Sequence, residues 1–240
     1  MTPEYLLFID TETTGLPSRW DLPYASDAAQ WPYVAQVAWQ VYSPEGTLIK
    51  QENHYLHVPD GAMRPAALAV HGLTPDFLRQ FGQEPSIVLR QLHQDLLTYR
   101  PRVVGYFLQL DFHVLGAGFH RAGLPNLLPE LPQFCVMRVT ERPVDGSHRR
   151  FRRLAELYEQ LFELAMPQLH DACEDAAATA RCFFELQRRG KITHSVLTGQ
   201  PPLQLPGLAG GGWSPWRPLL LAAAAGALVL LLLAFLWKIV

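Results

Sequence analysis

Tyr5-Leu6-Leu7-Phe8-Ile9-Asp10-Thr11-Glu12-Thr13-Thr14-Gly15-Leu16 is the stretch on which the fold turns. A short apolar run stops at two acids, which reads as a buried strand that delivers carboxylates at its C-terminal end. Residues two apart on an extended chain point to the same side, so Asp10 and Glu12 face one pocket. An Asp-x-Glu alone is ordinarily a pair of solvated surface acids. Here small and turn-forming residues follow at once, and Gly15 lets the backbone pass close to a ligand.

Outward from this strand the pattern alternates. Residues 34–42 and 48–58 flank the turn sequence Ser43-Pro44-Glu45-Gly46 and predict an antiparallel hairpin. Ile87, Leu89, Leu92, Leu96 and Leu97 have helical spacing over 86–99, with Ser86 available as N-cap. Residues 103–107 predict a strand and 112–121 a helix weakened by Gly116 and Gly118. A strand over 134–137 and helices over 154–162 and 171–189 complete the series. A hairpin followed by alternating helices and strands predicts an α/β domain, a mixed sheet with helices packed on it.

Two later segments supply partners for the first pair of acids. Asp111 follows the strand at 103–107 and opens a helix, a position that a simple N-cap would also occupy. His170-Asp171-Ala172-Cys173-Glu174-Asp175 leads into the last long helix. His170 precedes that helix and Asp175 lies one turn inside it, both reaching the same edge. Asp171 is the better N-cap candidate, and Glu174 rotates away from Asp175. Hard cations such as Mg²⁺ or Mn²⁺ take oxygen ligands, so a cage of carboxylates suits them. Two such ions can clamp the attacking and leaving oxygens of a displacement at phosphorus. A histidine titrating near neutral pH can take the proton of the attacking water. The residue types suit this reaction, but their convergence in space does not follow from spacing.

Asp10-x-Glu12, then Asp111, then His170-x4-Asp175, in that order, resembles the DEDDh (DnaQ-like) 3′-5′ exonuclease family, in its epsilon/TREX-like branch. The likeness runs from about residue 5 to 189, and His71-Gly72-Leu73-Thr74 is similar to a segment of the epsilon-like branch that packs near the terminal nucleotide. The resemblance implies an RNase H-like exonuclease fold, a five-stranded mixed sheet flanked by helices, with two Mg²⁺ or Mn²⁺ ions per site and removal of nucleotides from 3′ ends. It implies Asp10, Glu12, Asp111 and Asp175 as metal ligands and His170 as general base. It also implies Thr13, Thr14, Gly15, Leu16 and His71 as the pocket for the last nucleotide. Tyr106, Phe107 and Leu110 stand where the family often has His-Asn and Phe, and Ala66 where some members have a Glu. None of these changes touches a metal ligand. Single-stranded DNA 3′ ends are the expected partner, with RNA as the alternative within the family and a catalytically silent nucleic-acid binder as the alternative outside it.

Composition bears on the rest. Lys and Arg total 20 against 22 Asp and Glu, a net charge of −2, which excludes a globally basic nucleic-acid coat. The three cysteines have no C-x-x-C spacing, which argues against a disulfide scaffold or a Cys-rich zinc module. Phosphate-loop, Gly-x-Ser-x-Gly and His-Glu-x-x-His motifs are absent, removing NTPase, α/β-hydrolase and zincin readings. Arg138, Arg142, His148, Arg149, Arg150, Arg152 and Arg153 form a local basic cluster, expected as a path for a nucleic-acid backbone. Trp20, Tyr24 and Trp31, in the insertion after the first motif, suit either base stacking or packing of that loop.

The expected organisation is an exonuclease domain over 1–190, a Pro/Gly-rich linker over 191–218 and a transmembrane tail anchor over 219–237. From 198 to 218 there are five Pro and five Gly. From Leu219 to Trp237 every residue is apolar apart from Gly226. As a helix that run is roughly 28 Å long, close to the ~30 Å hydrocarbon core of a bilayer. Trp216, Arg217, Trp237 and Lys238 suit interfacial anchors. With an N-terminus lacking a secretory signal pattern, the expectation is a single-pass anchor with the nuclease domain facing the cytosol.

Overall fold

The computed structural model describes residues 4–144, 148–166 and 170–207. Five strands, β1 (Leu6–Thr13), β2 (Val34–Tyr42), β3 (Leu48–Tyr55), β4 (Arg102–Gly105) and β5 (Gln133–Cys135), form one sheet in the order β3-β2-β1-β4-β5. β1 pairs antiparallel with β2, and β2 with β3, whereas β4 runs parallel to both β1 and β5. The sheet is therefore mixed and five-stranded, as expected. The helices are α1 (Pro65–His71), α2 (Pro75–Phe81), α3 (Pro85–Tyr99), α4 (Leu108–Arg121), α5 (Leu154–Phe162), α6 (Ala172–Arg188) and α7 (His194–Gly199). A separate two-stranded ribbon joins β6 (Arg142–Val144) to β7 (His148–Arg150).

β1 is apolar on both faces because both are covered. Leu7 and Ile9 enter the core built with Leu89, Leu92 and Leu96 of α3 and Phe112, Leu115 and Phe119 of α4. Leu6 and Phe8 enter the opposite core, with Leu157 of α5 and Phe183 and Leu186 of α6. The Phe8 ring lies 5.4 Å from Phe183 in an edge-to-face contact. Asp10 and Glu12 continue the α6-facing series of Leu6 and Phe8. They sit where that core gives out, at the C-terminal end of the parallel strands, where open α/β sheets place their ligands.

Several local expectations shift. α3 starts at Pro85, with Glu84 rather than Ser86 at the N-cap, because proline favours the first helical position. α4 starts at Leu108, so Asp111 lies inside its first turn and is not its cap. The two glycines of α4 serve packing. A Cβ on Gly116 would lie 2.4 Å from the Tyr24 hydroxyl, and one on Gly118 would lie 3.1 Å from Leu89 Cδ1. Gly116 thus admits the insertion of residues 17–33 against the helix. Trp31 is buried there with Ala117, and Trp20, Leu22 and Tyr24 pack around it.

The expected linker start at 191 moves toward the C-terminus. Residues 194–199 form α7, and the following stretch docks on the edge strand β5. The Gln200 side chain accepts from Cys135 N–H at 2.9 Å and donates to the Cys135 carbonyl at 3.0 Å. Leu203 N–H donates to Gln133 Oε1 at 2.8 Å. The compact unit ends at Gly207. Among the described residues, no helix is long and apolar enough to cross a membrane. The expected span at 219–237 lies outside the described residues.

Candidate active site

Three elements converge at the C-terminal end of β1. The strand brings Asp10 opposite Ala38 and Glu12 opposite Gln36, and the pairing with β2 is irregular between Glu12 and Thr13. Such a break re-aims side chains at a strand end. α4 supplies Asp111, which is buried and accepts a 2.7 Å hydrogen bond from the Thr11 hydroxyl on the other face of β1. α6 supplies Asp175 from its first turn. His170 lies just outside that helix with φ at 60°, in the left-handed region. Ligand atoms of Glu12, His170 and Asp175 all lie within 4.8 Å of one another.

The N-terminus of α6 is tied directly to the strand beside Glu12. Asp171 caps it, with Oδ1 accepting from Cys173 N–H at 3.0 Å and Glu174 N–H at 3.2 Å. Asp171 Oδ2 accepts from Gln36 Nε2 at 3.0 Å, and Gln36 Oε1 accepts from Ala172 N–H at 3.3 Å. Gln36 Nε2 also donates to Asn53 Oδ1 at 3.0 Å. Gln36 is fully buried. It therefore links β2, opposite Glu12, to the turn that carries His170 and Asp175.

Electrostatics mark the site. Burial, then the charges of Asp111, Asp175 and Glu12, hold the Asp10 carboxyl well above the usual carboxylate range. Glu12 is raised to about 8 by burial and by Asp175, Asp111 and Asp171. Asp111 is raised to about 7, chiefly by burial, against the opposing hydrogen bond from Thr11. Asp175 is raised to about 7 by burial and Asp171, with the His170 backbone N–H opposing. Four acids held this close cannot all ionise without a counter-charge. Asp175 Oδ1 is buried and has no hydrogen-bond partner. An orphaned carboxylate oxygen within a cluster of acids fits a hard divalent cation. Glu12, Asp175 and Asp10 would hold it, with Asp111 beside them.

The expected pocket for the last nucleotide divides into two sides. The Thr13 hydroxyl donates to the Gly15 carbonyl at 2.7 Å, and His71 Nε2–H donates to the Thr13 carbonyl at 3.2 Å. Leu73 N–H donates to His71 Nδ1 at 3.0 Å, which fixes this imidazole as the neutral Nε2–H tautomer. Burial, together with His170, lowers the His71 pKa further. Leu16 is 55% exposed beside them. Thr14 turns the other way. Its hydroxyl accepts from Tyr33 N–H at 3.0 Å and its own N–H donates to the Tyr33 carbonyl at 2.9 Å. Gly15 has φ at 154°, and a Cβ there would lie 2.6 Å from Arg64 Cδ. Arg64 crosses the glycine to donate to the Leu16 carbonyl at 2.7 Å.

Arg64 and Gln36 were not among the residues expected from sequence. Gln36 had a signal, a polar residue within the otherwise apolar run of 34–39. Arg64 had none, since its reach depends on a contact 48 residues away. Where the family often has His-Asn, Tyr106 is buried and donates its hydroxyl to the Arg152 carbonyl at 2.7 Å. Of the basic cluster, Arg138 donates to the Pro201 carbonyl at 3.2 Å. The side chains of Arg142, His148, Arg149 and Arg150 lie outside the described residues.

A mixed five-stranded sheet with carboxylates converging at the end of its central strand defines a nuclease-like α/β domain. Residues 7–183 match the Exonuclease (RNase_T) family, and the chain belongs to it. Among solved structures, the fold is similar to that of E. coli exonuclease I bound to a dT13 oligonucleotide, with a TM-score of 0.63 and 20% identity over 78% of this chain and 41% of that one. The complex of the same enzyme with a dA16 oligonucleotide gives 0.64 and 20% identity, over 82% and 42%. Its zinc-bound complex with single-stranded DNA gives 0.62 and 20% identity, over 82% and 42%. The chain thus spans less than half the length of these enzymes. No curated protein sequence matches it.

Proposed function

We propose that this chain is a divalent-metal-dependent 3′-to-5′ exonuclease that releases nucleotides from single-stranded DNA, tethered to a membrane by residues 219–237 with the nuclease domain facing the cytosol. The observation that carries the reading is the meeting of Glu12, His170 and Asp175 within 4.8 Å, with Asp175 Oδ1 buried and unpaired. A silent nucleic-acid binder has no use for such a cluster, which would repel phosphates.

In this reading Asp10, Glu12, Asp111 and Asp175 hold two divalent ions. When bound, the ions neutralise the carboxylates and offset the charge that develops on the phosphoryl and leaving oxygens. His170 takes the proton of the water whose oxygen attacks phosphorus, and the bond from phosphorus to the 3′ oxygen of the preceding nucleotide breaks. The shortened strand leaves with a 3′ hydroxyl after protonation. His71, fixed as a neutral donor to the Thr13 carbonyl, shapes the backbone that faces the terminal nucleotide. Leu16, exposed at the edge of that surface, is placed to pack against its base.

DNA is preferred because the similar E. coli enzyme is described with dT13 and dA16 oligonucleotides. A time course on DNA and RNA oligonucleotides of one sequence tests this part, with faster DNA decay expected and faster RNA decay overturning it. The tether rests on the uninterrupted apolar run and its Trp and basic flanks. Full-length protein should fractionate with membranes, and removal of residues 218–240 should release it with nuclease activity intact. Full-length protein that stays soluble without detergent would contradict the tether.

A further inference from the structure

Past the end of β1, at Thr14, an open cleft of about 590 Å³ lies between the insertion of residues 17–33, the segment leading into α1 and the C-terminal end of α4. Its wall includes Tyr24, Trp31 and Tyr33, and its cations are Arg64 and Arg121. We propose that this cleft is a second nucleotide subsite, which takes a nucleotide of the single strand upstream of the one held at the carboxylates. The proposal rests on the exonuclease reading for the identity of the strand, but on the cleft's own chemistry for the ligand.

Three observations carry it. The cleft is connected to the reaction centre through the chain, because Thr14 lines it two residues beyond Glu12. Arg64 belongs to both places, since it lines the cleft while its guanidinium holds the Leu16 carbonyl.

The charge is also of the required sign. Arg64 and Arg121 face a single acid, Asp27, among the lining residues. Arg121 is pinned by bonds to the Pro32 and Trp31 carbonyls, and its guanidinium carbon lies 4.1 Å from the centre of the Tyr33 ring. A fixed cation outside the carboxylate cluster attracts the phosphodiester that the cluster, by itself, repels.

The aromatic wall is held from behind. Trp31 stacks on His113 at 5.2 Å and 29°, and Tyr24 meets Trp31 edge to face at 5.3 Å. The Tyr24 hydroxyl pairs with His113 Nδ1 at 3.2 Å. His113 itself is buried, so the backing is part of the packed interior. Tyr24 and Tyr33 remain half-exposed in front of it, as a stacking surface for a base requires.

The test is fluorescence anisotropy of a labelled thymidine decamer with full-length protein in detergent, with Ca²⁺ replacing Mg²⁺. Tyr33→Ala removes the ring but leaves the backbone pairing with Thr14, and should weaken decamer binding about tenfold. Asp27→Lys, on an exposed turn, removes the opposing acid and should tighten it several-fold. Opposite signs from two variants of one cleft exclude simple loss of folding. Neither variant should change hydrolysis of the p-nitrophenyl ester of thymidine 5′-monophosphate, a probe one nucleotide long, in Mg²⁺. Unchanged decamer affinity in both variants, or equal losses on decamer and probe, would overturn the subsite. Wild-type protein that hydrolyses neither substrate, while the variants show these binding shifts, would leave the subsite standing and contradict the exonuclease reading instead.

Discussion

Asp175 and His170 lie five positions apart, yet the proposed reaction asks different things of them. Asp175 is an acid with an unpartnered buried oxygen, whereas His170 is exposed at the rim with its backbone turned left-handed. Asp175→Ala removes a carboxylate from the cage, so both Mn²⁺ affinity and activity should fall together. His170→Ala removes the proposed proton acceptor and should lower the rate by about 10²–10⁴-fold, with Mn²⁺ affinity close to that of the wild type. Calorimetry with Mn²⁺ on the two variants, set beside their rates, separates these roles. Parallel loss of affinity and rate in His170→Ala would make the histidine a ligand, a role its distance to Glu12 and Asp175 also allows. The candidate residues were legible at this scale, because Asp10-x-Glu12 and His170-x4-Asp175 are local patterns. Their meeting was not, since Thr11 reaches Asp111 across 100 positions and Gln36 reaches Asp171 across 135. The resemblance to a known family, rather than the spacing, supplied that expectation.

At the scale of elements, the site depends on how α6 is fastened to the sheet. Gln36 on β2 makes two bonds to the first residues around that helix and one to Asn53 on β3. Gln36→Leu should leave Asp171 Oδ2 and the Ala172 N–H without their sheet partner and so let the His170–Asp175 turn move relative to Glu12. Turnover should slow by about tenfold or more, since a misplacement of about 1 Å at a catalytic group can cost 10²-fold. Because the side chain acts through His170, the same substitution in a His170→Ala background should cost much less. Equal losses in both backgrounds would show that Gln36 only stabilises the fold. The five strands of the sheet and the long helices followed from apolar patterning, while α1, α2, α7 and the β6–β7 ribbon did not. α1 has no buried residue and α2 only Leu78, so neither carries an apolar stripe to be read. α4 looked weak because glycine disfavours helix, and Gly116 is there to admit Tyr24.

For the molecule as a whole, the carboxylate cluster is a stability cost that binding of a cation removes. Asp111 and Asp175 titrate near 7 and Glu12 near 8 in the folded chain, with Asp10 also raised, against about 4 for unfolded carboxyls. The folded state then binds more protons than the unfolded one between these values. The contribution of the cluster is therefore fully present below about pH 4 and is lost as the pH rises through 7 to 8. Mg²⁺ or Mn²⁺ competes with those protons, so added metal should raise Tm by several degrees at pH 8 and by almost nothing at pH 5. Thermal melts with and without Mg²⁺ at both values check this. An equal rise at both would place the ion away from these acids. The reach of the domain to Gly207 was hidden at this scale too, because proline-rich sequence reads as linker although Gln200 and Leu203 bond to β5.

The central claim is that these converged acids cut a strand from its 3′ end, and a product ladder tests it most directly. Single-stranded DNA labelled at its 5′ end is incubated with the wild-type protein and with Asp175→Ala, with Mg²⁺ or with EDTA. The wild type should give a ladder that shortens one nucleotide at a time and vanishes in EDTA, and Asp175→Ala should leave the strand intact. Release of the label as a mononucleotide at the outset, a metal-independent ladder, or an undiminished ladder from Asp175→Ala would contradict the account.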